Sequence, residues 1–226
     1  MKSMPIFLLW FFVFCVSVRA EVQCTEPVLL TELNSTYNAE YPHLARDGVT
    51  LYFGRKDENG LRRLYTATRD LDTGVFSNIT PVEGLAAGAN LYTPWISDDG
   101  LRLYYGIYSE AIRLYQAERD VMSDPWTPML YFGGIHQNRR NDAFPSLTSD
   151  ELTMYYGSAR TKSSSNDLRI WKATRHSIHE QFSNPVKVEE LDAGYVTSSP
   201  CILPDGLTIY FAEITNNQHD LYRATR

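Results

Sequence analysis

Two carboxylates flanking a cleft are the minimum equipment for cleaving a glycosidic bond, one as acid and the other as base or nucleophile. Glu40 and Asp142 are the candidates, each placed just ahead of a repeated proline step, Tyr41-Pro42 and Phe144-Pro145. Their separation cannot be read from the chain, so no catalytic residue is assigned. Tyr37, Tyr92, Tyr195, Arg139 and Arg140 occupy comparable connecting segments. Aromatic rings mixed with carboxylates and guanidinium groups suit stacking on, and hydrogen bonding to, a sugar or a peptide. The same side chains read equally well as solvated loop residues. The segment from Gly134 to Asp142, with His136, Arg139 and Arg140, is the longest of these connections and the favoured site.

Other chemistries find less support. His43, His136, His176, His179 and His219 show no ligand spacing with cysteines. Asp70-Leu71-Asp72-Thr73-Gly74 opens like a calcium loop but lacks the later oxygen ligands and the distal glutamate, and reads as a turn. Nothing selects a Ser/His/Asp or Cys/His arrangement, and neither a metal nor a cofactor is called for.

The elements that must position these residues repeat four times. Tyr41-Pro-His-Leu-Ala-Arg-Asp-Gly, Thr93-Pro-Trp-Ile-Ser-Asp-Asp-Gly, Phe144-Pro-Ser-Leu-Thr-Ser-Asp-Glu and Ser199-Pro-Cys-Ile-Leu-Pro-Asp-Gly align without gaps. Their prolines, Pro42, Pro94, Pro145 and Pro200, lie 52, 51 and 55 residues apart. Each copy carries an aspartate five residues after its proline (Asp47, Asp99, Asp150, Asp205) and closes on Leu/Ile-aromatic-x-Ala-x-Arg, ending at Arg69, Arg119, Arg175 and Arg226. Self-similarity at about fifty residues indicates a propeller or a solenoid.

Asp-Gly between apolar runs is a hairpin signal, given by Gly48, Gly100 and Gly206; Glu151 breaks it, predicting another turn type there. The run after each turn, such as Val49-Thr50-Leu51-Tyr52-Phe53, puts apolar side chains on both faces of a strand. Such a sheet must be covered on both faces, which propeller blades achieve for one another. The expected fold is an all-β propeller of four modules (around 27–69, 81–119, 128–175 and 185–226), with blades offset from modules by one strand. A strand at Pro27-Val28-Leu29-Leu30 is expected to complete the last sheet, closing the ring between N-terminal and C-terminal strands and removing open edges. Closure within one monomer is expected; an open arc, or two chains sharing a larger ring, satisfies the same repeat.

A residue type present in every copy reads as scaffold. Each of Arg69, Arg119, Arg175 and Arg226 is expected to hold the aspartate of its own module by a charge-assisted hydrogen bond. Tyr52, Tyr104, Tyr155 and Tyr210 read as core aromatics.

Residues 1–20 read as a secretory signal peptide: Lys2, an apolar run from Ile6 to Val18, and the small-x-small step Val18-Arg19-Ala20. Residues 21–226 then form one domain with no second apolar run and no membrane span, destined for the periplasm or the extracellular space. Cys15 leaves with the signal, so Cys24 and Cys201 are the pair open to a disulfide. Their strand positions lie roughly 14 Å apart, so a bridge requires residues 21–26 to fold back over the blade. The formal net charge of −6, with no basic patch, argues against nucleic acid.

Pro94-Trp-Ile-Ser-Asp-Asp-Gly-Leu-Arg-Leu-Tyr-Tyr-Gly106 resembles the WD40-like PD40 repeat of TolB-type propellers of the bacterial envelope. The likeness extends over residues 27–226, including Asp124-Pro-Trp-Thr-Pro-Met-Leu and Gln181-Phe-Ser-Asn-Pro-Val between repeats. It implies an exported propeller. The chain departs from the family in having no room for a separate N-terminal domain and in lacking the Gly-x-Ser-x-Gly elbow of propeller peptidases. The leading expectation is a non-enzymatic binding or scaffold propeller that recognises an envelope or extracellular protein or glycan through one loop face. The alternative is a small carbohydrate-active hydrolase or lyase using channel carboxylates.

Overall fold

The computed structural model describes residues 28–34, 38–136, 139–161, 164, 166–215 and 218–226. The proposed signal segment, Tyr37 and Cys24 lie outside them. Fifteen strands form four antiparallel sheets set around one axis as a four-bladed β-propeller. The first sheet holds β1 (Ala39–Leu44), β2 (Thr50–Lys56), β3 (Arg62–Arg69) and β4 (Phe76–Pro81). The second holds β5 (Asn90–Ile96), β6 (Arg102–Tyr108), β7 (Ile112–Glu118) and β8 (Thr127–Tyr131). The third holds β9 (Asp142–Leu147), β10 (Thr153–Ser158), β11 (Arg169–Thr174) and β12 (Ser183–Lys187). The last holds β13 (Val196–Ile202), β14 (Thr208–Thr215) and β15 (Gln218–Thr225). Within each sheet neighbouring strands are sequential, so the chain meanders outward from the axis and then crosses to the next blade.

The double-faced aromatic runs pack between blades, as two-sided hydrophobicity demands. In β6, Leu103 and Tyr105 face the first sheet while Tyr104 faces the third, and all three are fully buried. The first and second sheets share a cluster of Tyr52, Leu64, Leu91, Ile96 and Leu103. The second and third share Tyr104, Leu114, Phe132, Leu147, Met154 and Phe182, and the third and fourth share Tyr155, Ile170, Ile202, Ile209 and Phe211. The remaining face of the first sheet, Leu51, Phe53, Ala67 and Phe76, is covered by Leu33. Val28 to Leu30 form no strand, residues before 28 fall outside the described set, and the last sheet has three strands among the described residues.

Two departures from expectation concern the hairpin turns. Glu151 keeps the left-handed conformation of its glycine counterparts, with φ of +56° against +70°, +72° and +65° at Gly48, Gly100 and Gly206. The turn type is therefore conserved despite the broken Asp-Gly pattern, and side-chain bonds to Glu151 offset the backbone strain. At Arg119 and Arg175 the expected pair with the module's own aspartate is replaced by two separate devices. Each aspartate caps its own turn, with Asp47, Asp99, Asp150 and Asp205 accepting from the N–H of Val49, Leu101, Leu152 and Leu207 at 2.8, 3.0, 3.0 and 2.8 Å. Arg119 and Arg175 reach past it to turn carbonyls, those of Gly100 and Glu151, both at 2.9 Å. A carboxylate already saturated by turn amides leaves the backbone oxygen as the open acceptor.

The innermost strands share one further feature. Tyr41, Thr93, Phe144 and Ser199 have φ of +59°, +50°, +57° and +53°, and the pairing register shifts at each. These are β-bulges, and the proline that follows each costs no ladder bond there.

Candidate functional site

The bulges turn two aligned columns of side chains toward the axis. One column is Tyr41, Thr93, Phe144 and Ser199; the other, two residues on, is His43, Trp95, Ser146 and Cys201. With their prolines, and with Asn166, Leu168, Val196, Ser198, Ala212, Ile214 and His219, they line a central cavity of about 550 Å³. The scaffold columns repeat in every blade while these two vary, which is the distribution expected of a ligand site on a repeat protein.

Aromatic contacts organise one wall of the cavity. The Tyr41 ring lies 5.8 Å from Phe144, edge to face, and 6.0 Å from Tyr92, whose ring lies 6.4 Å from Tyr108. His43 packs 5.7 Å from Trp95, which meets Tyr104 edge-on at 5.5 Å. Behind Tyr41, the Arg62 guanidinium sits 4.8 Å from the Tyr92 ring centre and 5.6 Å from that of Tyr41 while pairing with Glu40. Burial first, and then the Glu40 charge, push the Tyr41 hydroxyl up to about 12. Burial lowers His43 to about 4, against the opposing pull of its bond to Ile96 and of Asp98, so this wall carries a neutral imidazole at pH 7. Among the described residues lining the cavity none is an acid, a lysine or an arginine.

The candidates named from sequence separate into three groups. Glu40 and Tyr92 are brought together through Arg62 behind Tyr41, which alone of the four lines the cavity. Arg139 is a surface residue paired with Glu110 at 2.9 Å, both side chains largely exposed, and the Arg140 carbonyl accepts from Arg113. Tyr195 is half-exposed just before β13. Asp142 turns inward: it is 1% exposed and bonded to His136 Nδ1 at 2.6 Å, while His136 Nε2 accepts from the Leu114 N–H at 3.0 Å. The residues missed were Tyr41, His43, Trp95, Phe144, Ser146 and Ser199. Their signal was present, because they are the least alike columns of the aligned repeat.

Among the described residues Cys201 has no disulfide partner, and it is exposed on the cavity wall; Cys24, its expected partner, lies outside them. Asp70 Oδ1 accepts from the N–H groups of Asp72 and Thr73 at 3.0 and 2.7 Å, the geometry of an Asx turn. Among the described residues no group of three or more His, Cys, Asp or Glu side chains is placed to hold a metal ion, and no helix is long and apolar enough to cross a membrane.

Comparison with solved structures gives the same architecture. A putative TolB from Agrobacterium tumefaciens superposes with a TM-score of 0.56 at 16% identity, over 80% of this chain and 59% of the other. TolB from Acinetobacter baumannii gives 0.54 at 16%, over 85% and 42%. A thermostable family-43 glycoside hydrolase gives 0.56 at 14%, over 81% and 69%. The likeness is one of fold. This chain spans about three-fifths and two-fifths of the two TolB chains. No family model matches the sequence, and no curated protein is similar to it.

Proposed function

We propose that this protein is an exported binding propeller that takes a neutral glycan, or the glycan portion of an envelope or extracellular partner, into its central channel. The observation that carries this reading is the chemistry of the cavity wall: rings at Tyr41, Trp95 and Phe144, hydroxyls at Thr93, Ser146, Ser198 and Ser199, the Asn166 amide and a neutral His43. Rings that stack on the apolar face of a sugar, interleaved with uncharged hydrogen-bonding groups, match a neutral polyol. Export rests on the apolar run from Ile6 to Val18 and the small-x-small step that follows.

A second reading, a carbohydrate-active hydrolase or lyase, draws on Glu40, which sits behind the cavity-lining Tyr41 and pairs with Arg62. Hydrolysis by the usual route needs a second carboxylate within about 10 Å across the bond. Asp142, the other candidate, is committed to His136.

The test is titration with neutral oligosaccharides, read by intrinsic fluorescence and calorimetry, with reducing ends assayed in parallel. The binding reading expects saturable quenching that Trp95→Ala weakens by at least about tenfold, with no new reducing ends. Release of reducing ends, abolished by Glu40→Gln, would establish the second reading. No binding by any neutral glycan overturns the first.

A further inference from the structure

Three aromatic residues hold the same place in the repeat. Phe76, Trp126 and Phe182 each lie seven residues after a repeat arginine, Arg69, Arg119 or Arg175, and all three rings are buried. Trp126 packs with Val82, Leu85, Leu103 and Ala117 between the first and second sheets. Phe182 packs with Phe132, Ile135, Met154 and Ala173 between the second and third. The Arg119 guanidinium lies 4.3 Å from the Trp126 ring centre, and that of Arg175 lies 4.4 Å from the centre of Phe182.

The same set recurs between the third and fourth sheets as Val188, Leu191, Ile209, Ala224 and Arg226. Here these residues line a cavity of about 270 Å³. Its walls are those that hold a ring in the two preceding seams, with a guanidinium again at one side. The corresponding place ahead of Leu30, six residues before it as Phe76, Trp126 and Phe182 are before Val82, Phe132 and Val188, holds Cys24. The segment ahead of Leu30 therefore supplies no ring at that place.

A neighbouring turn shows what else the cavity offers. Leu33, Ile135 and Leu191 donate to the carbonyls of Leu30, Phe132 and Val188 at 3.1, 3.2 and 3.1 Å. The residues just before these donors are Glu32, Gly134 and Glu190. Beside Phe182 the position is glycine, where a Cβ would stand 2.9 Å from the Phe182 carbonyl oxygen. Beside Phe76 it is Glu32, whose carboxylate accepts from the Phe76 N–H at 3.2 Å. Beside the cavity it is Glu190, exposed at the rim together with Lys172.

We propose that this cavity is a second binding site, separate from the channel, for an aromatic amino acid. The ring sits beneath Arg226, its N–H group meets Glu190 as the Phe76 N–H meets Glu32, and its carboxyl end lies toward Lys172. A planar ring gains from a guanidinium over its face. An acid and an amine on one rim match the ammonium and carboxylate of the free amino acid, or the N–H and C=O of the same residue within a chain.

Saturation-transfer NMR and calorimetry with L-tryptophan test the site, with L-leucine as the control for apolar binding alone. Tryptophan is expected to bind saturably and to shift the Leu191 and Ile209 methyl resonances, while those of the channel-lining Leu168 and Val196 stay in place. Arg226→Ala and Glu190→Gln, both at exposed positions, are each expected to weaken binding by at least about fivefold. Ala224→Phe, which fills the cavity from within, is expected to abolish binding, and the two exposed variants decide the matter if it fails to fold. N-acetyl-L-tryptophanamide separates the sources: binding equal to that of tryptophan assigns the site to a residue within a chain, and binding of tryptophan alone assigns it to the free amino acid. No saturable binding of either probe, equal binding of leucine, or shifts confined to the channel would overturn the proposal.

Discussion

The Glu151 carboxylate accepts both bonds of the Arg102 Nε–H, at 3.0 and 2.8 Å, across the boundary between the second and third blades. It also accepts from the Tyr104 hydroxyl at 2.6 Å, and that hydroxyl takes a bond from Arg175, which also holds the Glu151 carbonyl and the Gln116 amide oxygen. The one of the four repeat turns that lacks glycine thus carries a buried side chain that ties two blades together, as the more exposed Arg46–Asp98 pair does between the first and second. Burial and the Glu151 charge raise the Tyr104 hydroxyl well above the usual phenol range.

Two substitutions separate the turn from the tie. Glu151→Gly relieves a left-handed residue, worth about 1–2 kcal/mol, but removes the carboxylate from the half-buried Arg102, which keeps Asp99, and from the buried Tyr104 hydroxyl, a loss of about 3–5 kcal/mol. The expected net destabilisation is about 2–3 kcal/mol, with Glu151→Ala about 1 kcal/mol worse because it keeps the strain. Urea unfolding midpoints measure both. A Glu151→Gly protein as stable as the parent would mean that the network contributes no more than the backbone strain it offsets.

His136 and Asp142 make a second buried tie, with side chains 3% and 1% exposed. With Nε2 accepting from Leu114, the ring proton sits on Nδ1 and is donated to Asp142. Among the described residues the other carboxylate oxygen of Asp142 has no partner within hydrogen-bonding distance. Removing the imidazole leaves a buried charge uncompensated, so His136→Ala is expected to destabilise by about 3–5 kcal/mol. If Asp142 acts on a ligand, Asp142→Asn abolishes activity while preserving stability. The expected result is the reverse: lower stability and unchanged glycan binding, measured by unfolding and titration of the same samples.

The contrast between these residues shows what the sequence could carry. Eight recurring columns made the four-bladed fold legible, because Asp-Gly turns and double-faced aromatic runs have few structural solutions. The sequence does not show that Asp142 turns inward onto His136 while Tyr41 lines the cavity. Which side chains of an innermost strand reach the axis is set by a one-residue bulge, and a single-residue slip exchanges the faces of a strand. Nor does the chain reveal that residues near both ends of the favoured loop turn inward, with Ile135 fully buried and the His136 and Asp142 side chains 3% and 1% exposed. The bulge follows from the pairing register, and that follows from the whole blade.

Cys201 gives direct access to the channel. Among the described residues its thiol has no disulfide partner, and it is exposed on the cavity wall, in the same column as His43, Trp95 and Ser146. Iodoacetamide is expected to label Cys201 in the folded protein, and a saturating neutral glycan to slow that labelling in proportion to site occupancy. Labelled protein should in turn bind the glycan at least about tenfold more weakly. Peptide mapping by mass spectrometry distinguishes Cys201 from Cys24. Unchanged affinity after complete labelling would move the ligand off the channel.

The pH dependence of stability has two windows with different owners. His43 falls from 6.5 to about 4 on folding, chiefly through burial. A base whose folded pKa lies below its unfolded one favours folding fully above pH 6.5 and loses that contribution as pH falls toward 4, because the unfolded chain binds the proton first. A gap of about 2.5 corresponds to roughly 3 kcal/mol. Below that range the turn aspartates take over. Asp47 is held under 3.8 by the amides of Thr50 and Val49 despite partial burial, and Asp150 by the Thr148 hydroxyl and the Leu152 amide. Carboxylates of this kind stabilise above their unfolded pKa and lose that contribution as pH falls through the folded one. His43→Gln is therefore expected to flatten the unfolding free energy between pH 6.5 and 4 while leaving the steeper loss below pH 4 intact. Denaturation series at half-unit pH steps resolve the two. A parent protein equally stable at pH 7 and pH 4.5 would show that the imidazole is not buried as a neutral base at the channel wall.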